Sequence, residues 1–167
     1  PILPAMPNAQ PKEFDVVIAG AGMVGASLAC LLAESSLSIA LVDRKPLVQG
    51  KDSDSPKLHS DKFDPRVSAI SQASQQLFRQ LGVWEDMNAA RVCNYNSMEV
   101  WDAEGTGSID FSAVEINQPE LGSIVENSII IAALHKRLAQ LENVFPITPF
   151  SIEPFEQVER EDGLIVK

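Results

Sequence analysis

Cysteine is scarce in this chain: Cys30 and Cys93 are the only two in 167 residues. Their separation fits neither a CxxC pair nor a metal-ligand spacing. Two thiols build no disulfide framework, so a reducing, cytoplasmic compartment is expected. Basic residues are also few, 13 Lys and Arg against 23 Asp and Glu, for a net charge of -10. They are scattered and form no stripe, which argues against a nucleic-acid partner, because phosphate binding needs clustered Lys and Arg. No apolar run approaches the roughly 20 residues of a membrane-crossing helix. The opening residues lack a basic-then-apolar signal pattern, and the chain starts at Pro1 rather than Met. Histidine is limited to His59 and His135, and neither sits in a recognisable catalytic set; both read as solvated. No metal-ligand constellation appears, and no residue can be assigned a catalytic role.

What remains is an ordinary globular composition, 45% hydrophobic and 22% charged, in a chain long enough for one real core. Residues 1–12 carry Pro1, Pro4, Pro7 and Pro11 and little to bury, so a disordered tail is expected. Residues 14–19 form a short apolar run suited to a strand buried on both faces. A glycine-rich turn follows, then an expected helix over 23–34 and a second buried strand over 38–43. Strand, helix and strand within about 30 residues make a βαβ unit and imply a parallel sheet. Cys30 falls inside that helix and reads as a small buried residue.

Residues 46–65 are polar and proline-bearing, the pattern of a long loop. A helix is expected over 71–81, with Ile70, Leu77 and Leu81 inward and Gly82 closing it. Residues 97–101 and 108–111 read as strands joined by a turn, a small antiparallel portion. Asn127 or Ser128 should cap a helix running to about Leu141. Residues 144–147 suit another parallel strand, and 155–167 suit a hairpin turning at Asp162-Gly163. Trp84 and Trp101 read as packing residues, and Glu85 and Asp86 as a solvated face.

The central signal is Gly20-Ala21-Gly22-Met23-Val24-Gly25. GxGxxG alone is weak; its specificity here comes from the strand before it, the helix after it and Asp43 at the end of the next strand, about 20 residues on. Gly20 allows the tight turn, Gly22 lets a pyrophosphate approach the backbone, and Gly25 lets helix and strand pack closely. The helix start at Met23 and Val24 presents N–H groups and a positive dipole end to phosphate. Asp43 can accept hydrogen bonds from an adenosine ribose, and its charge disfavours a 2′-phosphate. The pattern does not separate FAD from NAD, since both present ADP to it.

The stretch DVVIAGAGMVGASLACLLAESSLSIALVDR is similar to the start of FAD-dependent hydroxylases. FDPRVSAISQASQQLFRQLGVWEDM, YNSMEVWD and LGSIVENSIIIAAL are more specific. They resemble the UbiH/UbiF/VisC-type FAD-dependent hydroxylases of ubiquinone biosynthesis, over roughly residues 14–167. The resemblance implies a flavoprotein aromatic monooxygenase with FAD as cofactor. NAD(P)H would be the electron donor, O₂ the oxidant and a polyprenyl-phenol the substrate. It places Arg66, in Asp64-Pro65-Arg66, near the cofactor, where a planar guanidinium suits a pyrophosphate; the alternative is a surface Arg paired with Asp64. It gives Arg44 a place near adenine, against a plain solvated Arg. It aligns Asn127 with a polar residue contacting the flavin, against a simple helix cap. A cytoplasmic protein peripheral to the inner membrane is implied, with other ubiquinone-biosynthesis enzymes as candidate partners.

The family's later signatures, resembling GADG and GDAAH, are missing from this sequence. The expected fold is therefore an incomplete Rossmann-like FAD/NAD(P)-binding α/β domain, inactive by itself and prone to self-associate through uncovered strand edges. Two other readings remain open at this point: a different FAD-dependent oxidoreductase, or a non-catalytic dinucleotide-binding module.

Overall fold

The computed structural model describes residues 13–48, 63–151, 157–160 and 163–166. The expected tail, most of the expected 46–65 loop with His59, and Asp162 of the terminal hairpin lie outside the described residues. The architecture is mixed α/β. Strand β1 (Val16–Ala19), helix α1 (Met23–Leu32) and strand β2 (Ile39–Val42) form the expected βαβ unit. The two strands pair in parallel, from Val16 opposite Ile39 to Ala19 opposite Val42. Asp15 ties their starts together: its Oδ2 accepts the Ser38 N–H at 2.8 Å and the Ser38 hydroxyl at 2.7 Å.

The antiparallel portion begins with β3 (Val67–Ser71), followed by helices α2 (Gln72–Gln80) and α3 (Trp84–Ala90) and strand β4 (Val92–Tyr95). β5 (Ser97–Trp101) and β6 (Ser108–Ser112) make a separate two-stranded hairpin. β7 (Gly122–Glu126) lies between β3 and β4 and is antiparallel to both. It leads into α4 (Asn127–Leu138) and then β8 (Val144–Ile147), which returns to the first sheet beside β2. That sheet has the order β1-β2-β8, all parallel. β9 (Gln157–Arg160) and β10 (Gly163–Val166) form the terminal hairpin, with Gly163 already paired to Arg160.

Position in the sheet decides burial. β2, in the middle, is buried at all four residues, as its unbroken apolar run predicts. β1 is not buried on both faces as its sequence suggests. Among the described residues it has only β2 as a neighbour, and while Ile18 is buried, Val17 is 59% exposed. The main core lies where α1 and α4 pack together over β2. Ala26, Ala29 and Cys30 of α1 meet a cluster containing Ile39, Leu41, Ile130, Leu134 and Leu138. The small α1 residues allow a close helix–helix approach, and each buried Leu or Ile contributes about 1.5–3 kcal/mol relative to exposure.

Several expectations need correcting. Ile70 belongs to β3, not to the following helix, whose N-cap is Ser71 with its side chain accepting the Ser74 N–H. Gly82 adopts φ +72 just after Leu81, the left-handed conformation that a helix-ending glycine supplies. Glu85 and Asp86 lie on the outer face of α3, as read, but that stretch is a helix the sequence did not suggest. Trp84 and Met87 turn inward while Asp86 pairs with Lys136 of α4 at 2.8 Å. Trp101 is not a packing residue among the described elements: it is 66% exposed on β5.

Candidate functional site

The glycine turn occupies the end of β1 and the start of α1. Gly20 has φ +103, a region that L side chains rarely adopt, so glycine is required for the chain to leave the strand here. A Cβ on Gly25 would lie 1.9 Å from the Gly20 carbonyl oxygen and 3.2 Å from Ile18 Cγ2. Helix and strand can therefore cross this closely only without a side chain at Gly25. Gly22 differs: a Cβ there would meet no protein atom within 4 Å. The surface in front of Gly22 is open, as close approach of a phosphate requires. Ala26 N–H makes the first helical bond, to Gly22 O at 2.9 Å. The N–H groups of Met23, Val24 and Gly25 thus precede the helix's own ladder, and the first turn holds no acidic residue to compete for an anion.

Asp43 closes the other side of this cleft. Its Oδ2 accepts the Ala21 N–H at 2.7 Å and its Oδ1 the Lys45 N–H at 2.8 Å. The Lys45 bond, then the Ala21 bond, holds its pKa below the ordinary 3.8, so it is anionic at neutral pH. Asp43 therefore fastens the glycine turn to β2 as well as offering a ribose acceptor; a carboxylate oxygen has a second lone pair for that purpose. Arg44 is exposed beside it. The donors and the anion form a set matched to the pyrophosphate and ribose of a dinucleotide.

A second cluster gathers at the N-terminus of α4, where β3 and β7 meet. Arg66 pairs with Asp64 at 3.7 Å, and its side chain is 78% exposed. Its backbone carbonyl accepts the Asn127 N–H at 3.0 Å. Asn127 Oδ1 accepts the Ser68 hydroxyl at 2.6 Å. Neither Asn127 nor Ser128 is the N-cap: that position belongs to Glu126, whose side chain makes no capping bond. The Glu126 carboxylate is drawn aside, taking the Arg91 Nε–H at 2.6 Å on Oε1 and the Asp64 N–H at 2.6 Å on Oε2. Arg91 also lies over the Phe63 ring, 4.1 Å from its centroid.

These bonds, Arg91 first and the Asp64 N–H second, keep the Glu126 pKa below its ordinary 4.5. Its stabilising contribution is complete above pH 4.5 and is lost as the pH falls through the lower folded value. Glu126→Gln is expected to lower unfolding free energy by about 1–3 kcal/mol at pH 7 and by much less at pH 3. Urea melts at the two pH values check this.

The structure brings Asn127 and Arg66 into one neighbourhood, with Ser68, Arg91 and Glu126, which the sequence did not single out and whose meeting depends on the pairing of β3, β4 and β7. Sequence reasoning misjudged His135. The ring is buried, not solvated. Its Nε2 lies 2.7 Å from Ala21 O, and its Nδ1 accepts the Val48 N–H at 2.9 Å. Its position was readable in the chain, since Ala132, His135 and Leu138 recur at i, i+3 on an inward face. The adjoining Lys136 and Arg137 obscured it. Asn127 and His135 are eight residues apart on α4, about 12 Å of helical rise, so one rigid element links the two clusters.

The family model for the FAD binding domain matches residues 13–161. The mitochondrial ubiquinone biosynthesis monooxygenase COQ6 of Caenorhabditis elegans is 33% identical over 171 residues, covering 92% of this chain and 36% of that protein. The 3-demethoxyubiquinol 3-hydroxylase of Escherichia coli is 31% identical over 164 residues, covering 95% of this chain and 39% of that protein. A solved structure of a PqsL mutant from Pseudomonas aeruginosa superposes with TM-score 0.64 at 16% identity. It covers 93% of this chain and 40% of that one, and supports the fold alone. The chain thus spans somewhat over a third of the length of these relatives. With the glycine turn, the open face at Gly22 and the Asp43 carboxylate fitting the ADP half of the cofactor, this chain belongs to the FAD binding domain family.

Proposed function

We propose that this chain is the ADP-holding front of an FAD-dependent monooxygenase that hydroxylates the aromatic ring of a polyprenyl-phenol precursor of ubiquinone. The observation that carries this is the pairing of a glycine turn locked by Asp43 with sequence likeness to ubiquinone-pathway hydroxylases across nearly the whole chain. In this reading Gly22 and the first turn of α1 bind the pyrophosphate, and Asp43 binds the adenosine ribose. Arg44 lies at the adenine side. Arg66 and Asn127 stand at the second cluster, toward the flavin. Bound FAD supplies the redox chemistry, taking electrons from NAD(P)H and using them to activate O₂. The overall balance is phenol, NAD(P)H, H⁺ and O₂ to hydroxylated phenol, NAD(P)⁺ and water.

The relatives' greater length carries a consequence in this reading: the substrate contacts and the rest of the flavin-ring contacts, beyond Asn127, belong to segments outside these 167 residues. The chain by itself binds but does not turn over. The protein works at the cytoplasmic face of a membrane, where polyprenyl substrates reside. The test is turnover by the 167-residue chain and by a longer protein containing it, each with FAD, NADH or NADPH, O₂ and a polyprenyl-phenol. Product one oxygen atom heavier from the longer protein only is the expected result. No hydroxylated product from either would reject the monooxygenase reading, and product from the short chain would reject its dependence on further segments.

A further inference from the structure

We propose that His135 is a positioning residue for the FAD pyrophosphate, holding the Ala21–Gly22 peptide in its binding orientation through the proton it carries on Nε2. The proposal rests on the reading of the glycine turn as the FAD site. The backbone fixes the tautomer. Val48 N–H is a donor and lies 2.9 Å from Nδ1, so Nδ1 must be the acceptor. The ring proton is then on Nε2, where it is donated to Ala21 O at 2.7 Å.

That bond has a consequence on the opposite side of the peptide. In a planar trans peptide the C=O and N–H point in opposite directions. Drawing Ala21 O inward to His135 turns the Gly22 N–H away from the histidine. Gly22 is exposed, with no protein atom near a notional Cβ. A buried side chain on α4 thereby aims a phosphate donor from behind. Asp43 acts on the same peptide plane's neighbour, taking the Ala21 N–H. The two side chains clamp Ala21 from both of its backbone groups, and His135 adds a tether to Val48 beyond β2.

Protonation breaks the Val48 arm of the arrangement and keeps the Ala21 arm. An imidazolium has donors at both nitrogens, so Nδ1 would oppose the Val48 N–H. Burial keeps the ring's pKa below 6.5, partly offset by the Ala21 carbonyl and the Asp43 carboxylate. The neutral, bridging form is therefore complete above pH 6.5 and is lost as pH falls through the lower folded value. Two titratable groups on neighbouring elements hold their states over this range. Asp43 on the β2 side stays anionic, since its pKa lies below 3.8. The Cys30 thiol of α1 is pushed up to about 11 and stays neutral. On α4 itself Lys136 is paired with Asp86 of α3, and Arg137 donates to Gln140 Oε1 at 3.1 Å.

The test is FAD affinity, read by flavin fluorescence at pH 7.5, for the wild-type protein, His135→Gln and His135→Leu. A glutamine amide places its nitrogen near the Nε2 position, keeps the donor to Ala21 O and does not titrate. His135→Leu, which removes the donor to Ala21 O, should raise Kd about tenfold, the equivalent of one lost hydrogen bond. His135→Gln should bind within about threefold of wild type at pH 7.5 and show no such rise. Ring ¹⁵N shifts of the wild-type protein should report the neutral Nε2–H tautomer at pH 7.5, a readout independent of the cofactor. A His135→Leu Kd equal to that of wild type, an equal rise in His135→Gln, or an Nδ1–H tautomer would overturn the proposal while leaving FAD binding intact. Absence of FAD binding by wild type at pH 7.5 would instead reject the FAD site, and this proposal with it.

Discussion

Gly25→Ala is expected to abolish measurable FAD binding. The added Cβ would sit 1.9 Å from the Gly20 carbonyl oxygen, and that atom is backbone, with no rotamer through which to escape. Either α1 moves off β1 or the Gly20 turn, already at φ +103, is forced open. Both displace the N–H groups of the first helical turn from the position a pyrophosphate needs. Overpacking of this kind costs about 1–3 kcal/mol of stability and more where backbone must shift. FAD affinity is expected to fall on the order of 100-fold or more, since about 2.8 kcal/mol already gives that factor. Gly22→Ala provides the contrast. Its Cβ meets no protein atom, so stability should hold within about 1 kcal/mol while affinity falls, because the obstruction is to the ligand alone. Melting curves beside FAD titrations of both variants separate the two effects. Equal stability and equal binding of Gly25→Ala and wild type would show that the helix–strand crossing does not shape the site.

Asp43→Ala should be the next most damaging change. It removes the acceptor for the Ala21 and Lys45 N–H groups together with the proposed ribose contact. Hydrogen bonds to a charged group contribute about 1.5–3 kcal/mol each, so losing the turn's anchor and the ribose bond weakens FAD binding by roughly 100-fold. Asp43→Asn keeps one carbonyl acceptor and should lose only about tenfold. Since Asp43 is held below its ordinary 3.8 by its backbone partners, the wild-type contribution is present above that pH and disappears as pH falls through the lower folded value. Calorimetric Kd values for the two variants at pH 7.5 test the ranking. An Asp43→Asn loss as large as that of Asp43→Ala would mean that charge, and not the acceptor atoms, holds the turn.

The parts of this account legible in the sequence are those in which local chemistry suffices. Gly20, Gly22, Gly25 and Asp43 belong to one βαβ unit, where the backbone conformation and the spacing are set by adjacent residues. The apolar run over residues 39–42 reads as a central strand because it is one, buried at every position. The same reasoning failed for β1. A run of β-branched residues says that a strand forms, but not how many neighbours it has, and Val17 is exposed because β1 pairs only with β2 among the described residues. β3, β4 and β7 escaped notice because each is short and none alternates cleanly; their pairing across about 30 residues (β4 with β7) and about 55 (β3 with β7) creates them. The Glu126–Arg91 contact follows from that pairing and so was equally hidden. His135 is a failure of a different kind. Its inward spacing was present in the sequence, but adjacent cationic residues suggested solvent, and the acceptors and donors that satisfy its ring lie 114 and 87 residues away.

The most direct test of the central claim is competition between ADP and FAD. Flavin fluorescence would follow FAD binding to the protein as ADP is added, with FMN, which lacks the adenylate, as comparator. If the glycine turn and Asp43 hold the ADP half of the cofactor, ADP displaces FAD, FMN does not, and Asp43→Ala weakens ADP and FAD in parallel. FAD binding that is indifferent to ADP and to Asp43→Ala would contradict the assignment of this site.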